Sequence, residues 1–145
     1  MAETIAAVLA AKGNEVIMAA ETMTIRDVIG LLHRRKIGAV LITNESTDVV
    51  GVLSERDIIH GLATHGPDLL DMTARSIMTS PVITCRPTDS VRQVLTLITE
   101  RRFRHVPVVD EGRLIGIVSI GDLVKRRIED VEQEAAALKS YIATS

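Results

Sequence analysis

The sequence predicts a mixed α/β fold, of the α+β kind, built from two copies of one β-α-β-β-α unit with a helix added at each end. Three observations predict it. The phrase "GVLSERDI" at 51–58 returns as "GIVSIGDL" at 116–123, so two apolar runs end in the same Ser-x-x-Asp sequence. A shift of 66 positions places Val16 on Val82, Thr22 on Thr88, Arg26 on Arg92, Val28 on Val94, Leu31 on Leu97 and Val40 on Val106. Beyond the loop "TNESTD" the shift is 65, aligning Gly51 with Gly116, Ser54 with Ser119 and Asp57 with Asp122, as expected of an internal duplication that differs by one loop residue. Strand-like and helix-like periodicities then follow in the same order in each copy.

Taken along the chain, residues 1–11 read as an N-terminal helix with Ile5, Val8 and Leu9 on one side. The first repeat, 12–64, opens with a β-rich segment at 16–19. A helix follows with apolar residues at Ile25, Val28, Ile29 and Leu32, started by Thr24 and Asp27 in a capping-box pattern. Two strands, "GAVLIT" and "VVGVLS", flank the turn "NESTD", and a second helix begins at Ser54. Residues 65–78 form a linker with a turn at Gly66-Pro67 and a short helix capped by Thr73.

The second repeat, 79–127, copies this plan: a strand at 82–85, then a helix through Val91, Val94, Leu95 and Ile98. Ser90 with Gln93 fits the capping box better than Thr24 with Asp27 does. The strands "HVPVVD" and "LIGIVS" flank "DEGR", and the last helix starts at Ser119. Basic residues close the first helix of each copy, "HRRK" and "ERRFRH", where cations meet the negative end of the helix dipole. A helical extension, 128–145, ends the chain. From Val124 its apolar residues fall at Ile128, Val131, Ala135, Leu138 and Ile142, a 4-3-4-3-4 spacing that reads as a heptad-like seam. Such a helix either lies on its own domain or forms an interface between subunits.

Composition narrows the function. At 145 residues the chain buries roughly 68–70% of its unfolded surface, whereas one repeat of about 60 residues buries too little to be stable alone. Phe103 and Tyr141 are the only aromatic residues, so aliphatic side chains must build the core and base stacking on aromatic rings is excluded as the main binding device. The net charge of −2 argues against nucleic-acid binding. No run reaches the ~18 apolar residues of a membrane span, and Glu3 stands where a signal peptide would be basic. One cysteine, Cys85, permits no internal disulfide and suits a reducing cytoplasm. His60 and His65 lack metal-site spacing, no glycine-rich phosphate motif occurs, and Cys85 has no evident base partner. Neither a metal site nor an enzyme is expected.

The tandem β-α-β-β-α unit, the stretch "RHVPVVD" and the two Gly-x-x-Ser-x-x-Asp segments, in this order over residues 12–127, resemble the CBS domain pair, or Bateman module, and in particular stand-alone bacterial CBS-domain proteins. The resemblance implies two repeats packed with pseudo-twofold symmetry and an adenine nucleotide of the AMP, ADP, ATP, NAD(H) or S-adenosylmethionine type bound in a cleft between them. It also implies a homodimer and a cytoplasmic sensor that reports ligand occupancy to a regulated protein.

It further implies site residues. Asp122 and Asp57 would accept hydrogen bonds from ribose hydroxyls. Ser119, Ser54, Arg104, His105 and Arg56 would meet phosphate. Thr79, Val82, Ile83 and Thr84 would contact the base. The copies differ, because Arg104 and His105 stand where the first repeat has Gly38 and Ala39, which favours the cleft containing Asp122. A structural account competes at each position: Ser-x-x-Asp is itself a helix cap, the arginines complement a helix dipole, and Val82 and Ile83 suit an ordinary core. A homodimer with structural or protein-interaction function and no ligand therefore stays open as the alternative.

Overall fold

The duplication in the sequence becomes two structural units. The first is Val16–Ile83; the second combines the residues up to Glu15 with those from Thr84 onward. The computed structural model describes residues 3–13, 15–101 and 103–144, so Met1, Ala2, Asn14, Arg102 and Ser145 lie outside the described residues.

The elements in chain order are α1 (Ile5–Lys12), β1 (Met18–Ala20), α2 (Ile25–Arg35), β2 (Ala39–Thr43), β3 (Val49–Ser54) and α3 (Glu55–His65). A 3-10 turn (Gly66–Asp71) and α4 (Ala74–Ile77) precede α5 (Val91–Arg101), β4 (His105–Asp110), β5 (Arg113–Ser119) and α6 (Ile120–Thr144).

In the first unit, β1 runs parallel to β2 and β2 antiparallel to β3, with Val40 opposite Leu53 and Ala19 opposite Ile42. Thr24 caps α2, its hydroxyl accepting from the Asp27 N–H at 3.2 Å, and this start turns Ile25, Val28 and Leu32 onto the sheet. Leu53, Ile58, Leu69 and Ala74 complete an aliphatic core. Thr73 stands at the N-cap of α4 as expected, but its hydroxyl is bonded to that of Ser76 at 3.1 Å instead of capping the helix backbone.

In the second unit, β4 and β5 form a two-stranded antiparallel sheet, His105 opposite Ser119 and Val106 opposite Val118. Ser90 and Gln93 make the full reciprocal box at the start of α5, with bonds of 2.8 and 3.0 Å. The strand expected at 82–85 is reduced to one residue: Cys85 bridges Val108 in the position that Ala19 holds against Ile42 in the first unit. Pro81 and Pro87 bracket that segment, and neither has an N–H to give to a ladder. α6 runs without a break from the second repeat through residue 128 into the C-terminal extension.

Each unit is completed by the helix that precedes the other repeat. The Val91 N–H donates to the Glu3 carbonyl and the Ile5 N–H to that of Asp89, both at 2.9 Å, which seats Ile5, Val8 and Leu9 in the core with Val94, Ile98, Val118 and Leu123. The first unit repeats these bonds with α4. The Ile25 N–H donates to Met72 and the Ala74 N–H to Met23, both at 2.8 Å. Thus α1 and α4 hold equivalent places, and the bridges Thr4 to Ser90 and Thr24 to Thr73 mark the same seam.

The repeated glycine of Gly-x-x-Ser-x-x-Asp follows from this seating. A Cβ on Gly51 would lie 2.5 Å from Met78 Sδ and 3.1 Å from the Thr79 carbonyl oxygen; one on Gly116 would lie 2.8 Å from Leu9 Cδ2. Gly51→Ala and Gly116→Ala are therefore each expected to lower stability in urea denaturation by about 1–3 kcal/mol through overpacking. Gly51→Ala should be the worse of the two, because a carbonyl group yields less readily than a leucine methyl.

Candidate functional site

The two Ser-x-x-Asp segments sit at strand-to-helix junctions, where the chain must leave a sheet and satisfy the first N–H groups of a helix. At the start of α3 the Ser54 N–H donates to Asp57 Oδ2 at 2.9 Å, and the Asp57 N–H donates back to Ser54 Oγ at 3.3 Å. The Ser54 hydroxyl adds a bond to Oδ2 at 3.1 Å. At the start of α6 the Ser119 N–H donates to Asp122 Oδ2 at 2.8 Å, and the Asp122 N–H to Ser119 Oγ at 3.1 Å. Both serines thus cap, and both aspartates are held at a helix N-terminus.

Beyond the caps the copies diverge. Thr79 pairs through its backbone with Val52, and its hydroxyl donates to Asp57 Oδ1 at 3.0 Å. Both carboxylate oxygens of Asp57 are therefore engaged. Asp122 instead meets a cation, since Lys12 at the end of α1 donates to its Oδ2 at 2.5 Å and to the Ile117 carbonyl at 2.9 Å. Burial pulls the Asp122 carboxyl upward, but the Lys12 ammonium together with the Ser119 N–H and hydroxyl outweighs it and holds the group below its ordinary value. Sequence reasoning missed Lys12. Its partner is 110 positions away, and no local pattern joins them.

The remaining expected site residues fall as follows. His105 lies opposite Ser119 in the sheet, and the Arg104 carbonyl accepts from the Ile120 N–H at 2.8 Å, so this turn adjoins the start of α6. Arg104 is exposed and His105 half-buried. The matching turn in the first unit carries acid in place of base: the Glu55 carboxylate stands 3.7–3.9 Å from where a Gly38 Cβ would be. Arg56 is exposed on α3. Val82 and Ile83 are half-buried, Thr84 is exposed, and none of these three joins a sheet. Thr79 and Asp57 are brought together in the first unit, and Arg104, His105, Ser119 and Asp122 in the second.

A recess of about 110 Å³ opens beside Asp122 between α1 and α6, bounded by Val8, Ala11, Lys12, Lys125 and Arg126 among others. Cys85 is buried, and its thiol is pushed up to about 12 by that burial and secondarily by the charge of Asp89. Its thiolate is therefore scarce at neutral pH. Among the described residues no cluster of three or more His, Cys, Asp or Glu side chains could hold a metal ion, and no helix is long and apolar enough to cross a membrane.

Tandem β-α-β-β-α repeats, each turning from strand to helix through a Ser–Asp box, define a class of paired α/β modules. The "CBS domain" family description matches residues 12–64 and again 74–129, and the chain belongs to that family. A crystal structure of a CBS-domain protein from Agrobacterium tumefaciens is 38% identical with a TM-score of 0.83, covering 88% of this chain and 95% of that one. A CBS domain protein from Pyrobaculum aerophilum complexed with AMP is 33% identical with a TM-score of 0.71, covering 82% and 88%. The CBS domain pair of MJ0100, in complex with 5′-methylthioadenosine and S-adenosylmethionine, is 25% identical with a TM-score of 0.77, covering 90% and 99%. Over 113 residues, 77% of this chain, it is 32% identical to an uncharacterised protein of Methanopyrus kandleri, of which it spans only 58%.

The Lys12–Asp122 link has a pH signature. A carboxyl with a depressed folded-state pKa contributes stability that is complete above its ordinary value of 3.8 and is lost as the pH falls through the depressed one. Lys12→Met should therefore lower the unfolding temperature at pH 7, and its difference from the wild type should vanish in acid below that range. Circular-dichroism melts from pH 2 to pH 7 read both.

Proposed function

We propose that this protein is a cytoplasmic ligand sensor, with the second unit binding the sugar and phosphate of an adenine nucleotide through Asp122, Ser119, Arg104 and His105. The observation that carries the reading is the state of Asp122. Its Oδ2 takes the bonds from Ser119 and Lys12, which leaves Oδ1 to accept from a ribose hydroxyl while the carboxylate stays charged. The Arg104–His105 turn adjoins the N-terminal end of α6, and a helix start beside an arginine suits a phosphate.

The first unit is less suited to a phosphorylated ligand. Asp57 already spends both oxygens on Ser54 and Thr79, and Glu55 puts negative charge at the turn where phosphate would sit. Arg56 and Ser54 can still receive an anion there, but a neutral or cationic nucleoside fits that charge better. Base contacts would come from Thr79, Val82 and Ile83 within the first unit and from Thr84 within the second, since the segment around 81–84 keeps its backbone groups out of the sheets. The AMP bound by the Pyrobaculum protein and the adenosine compounds bound by the MJ0100 pair support an adenine ligand for this chain. Signalling to a regulated protein requires that the ligand bind one conformation better than another.

Thermal unfolding against AMP, ADP, ATP, NADH and S-adenosylmethionine tests this. A ligand at 100 times its dissociation constant should stabilise the fold by about 2.7 kcal/mol. The expected result is a shift with one of them that disappears in Asp122→Ala and persists in Asp89→Ala. Asp122→Ala also loses a cap and an ion pair, so the quantity compared is each variant's ligand-induced shift and not its baseline. No shift with any compound at millimolar concentration, or one that survives Asp122→Ala, overturns the assignment and returns the protein to a ligand-free interaction role.

A further inference from the structure

The apolar seam of α6 is not used by its own fold. Val124, Ile128, Val131 and Leu138 are 42%, 53%, 48% and 60% exposed, and Ile142 is 63% exposed. The face of α6 that packs on the second unit carries Leu123, Arg126 and Asp130 instead. Leu123 is fully buried, Asp130 is nearly so, and Arg126 pairs with Glu3 of the N-terminal segment at 2.9 Å. At 100° per residue these three are centred about 130° around the helix from the seam. Every residue from Val131 to Thr144 is exposed, and the family match ends at residue 129. A solvent-facing aliphatic stripe of this length implies a covering surface.

We infer that the occupant is α6 of a second copy, in a parallel two-stranded coiled coil. In heptad notation Ile128, Ala135 and Ile142 take position a, and Val124, Val131 and Leu138 take position d. Ile128 and Ile142 at a with Leu138 at d match the two-stranded preference, while Val124 and Val131 at d are neutral to it and the charges decide. The flanking charges select the orientation. In a parallel pair each g residue meets the e residue five positions on in the partner, which sets Arg127 against Glu132 and Glu134 against Lys139, both attractive. In the antiparallel pair that overlaps all six layers, Glu132 meets Glu132, Glu134 meets Glu134 and Lys125 meets Lys139, all repulsive. The helix is thus complementary to itself in one direction, and this inference stands whether or not a nucleotide binds.

Sedimentation equilibrium of the full chain tests association, and a cysteine tests direction. The wild type is expected to be a dimer. The double variant Val131→Glu/Leu138→Glu should weaken association by at least about 100-fold, since burying each aliphatic side chain contributes tenfold or more. Its far-UV spectrum and melting should keep the two units folded, because neither residue belongs to a core. Glu134→Lys should weaken the dimer and Lys139→Glu in the same chain restore it. Cys85 is buried and inert, so Leu138→Cys supplies the one reactive thiol. A parallel pair places the two introduced sulfurs together, and mild oxidation should give a covalent dimer. A monomeric wild type at 100 µM (about the top of the usable range), or a dimer indifferent to Val131→Glu/Leu138→Glu, overturns the inference. Failure of Leu138→Cys to cross-link in a dimer that the double variant disrupts overturns the parallel arrangement.

Discussion

The seating of a foreign helix against each sheet is the constraint on which the rest of this structure depends. A repeat of about 60 residues with at most one aromatic side chain cannot close its own core. Leu69 and Ala74 close one and Ile5, Val8 and Leu9 the other, each set supplied by the segment that precedes the opposite repeat. From that seating follow the glycines at 51 and 116, which admit Met78 and Leu9. The neighbours of the two aspartates follow as well, because the residue that emerges from the seated helix is the one that reaches the carboxylate. After α4 that residue is Thr79, and at the end of α1 it is Lys12. Duplication set two equivalent aspartates, and the helix placed over each gave them different neighbours.

The Ser–Asp box shows why a capping role and a binding role need not compete. A carboxylate has about four acceptor positions, and a reciprocal cap uses one or two of them. At Asp122 the cap and Lys12 share Oδ2, so the structural bonds orient the side chain and fix its charge without exhausting it. At Asp57 the additional bond from Thr79 falls on the other oxygen. The same four-letter motif therefore yields a carboxylate with spare capacity in one unit and a more fully committed one in the other.

Much of the fold was legible in the sequence because its signals are local. The α5 start reads directly from Ser90 and Gln93, and helix faces such as Val91, Val94 and Ile98 emerge from their spacing. The mixed α/β class follows from the duplication and its periodicities, and the CBS family from the resemblance carried by "RHVPVVD" and the two Gly-x-x-Ser-x-x-Asp segments. What could not be read was long-range or subtractive. The exchange of α1 and α4 between repeats leaves no periodic trace. The ion pair of Lys12 with Asp122 joins the two ends of the chain. The strand expected at 82–85 failed because apolar residues alone do not make a ladder when Pro81 and Pro87 stand beside them. The continuous helix from Ile120 to Thr144 was legible in the 4-3-4-3-4 apolar spacing from Val124 to Ile142.

α6 begins one residue after the Ser119 cap and continues to Thr144, which makes it a single rod of about 37 Å. Asp122 lies in its first turn and Leu138 near its far end. A rod of that length works as a lever: tilting it by about 5° at the capped end carries the tip through roughly 3 Å, nearly the width of a methyl group. A change of angle at the capped end would therefore be read as a displacement at the far one.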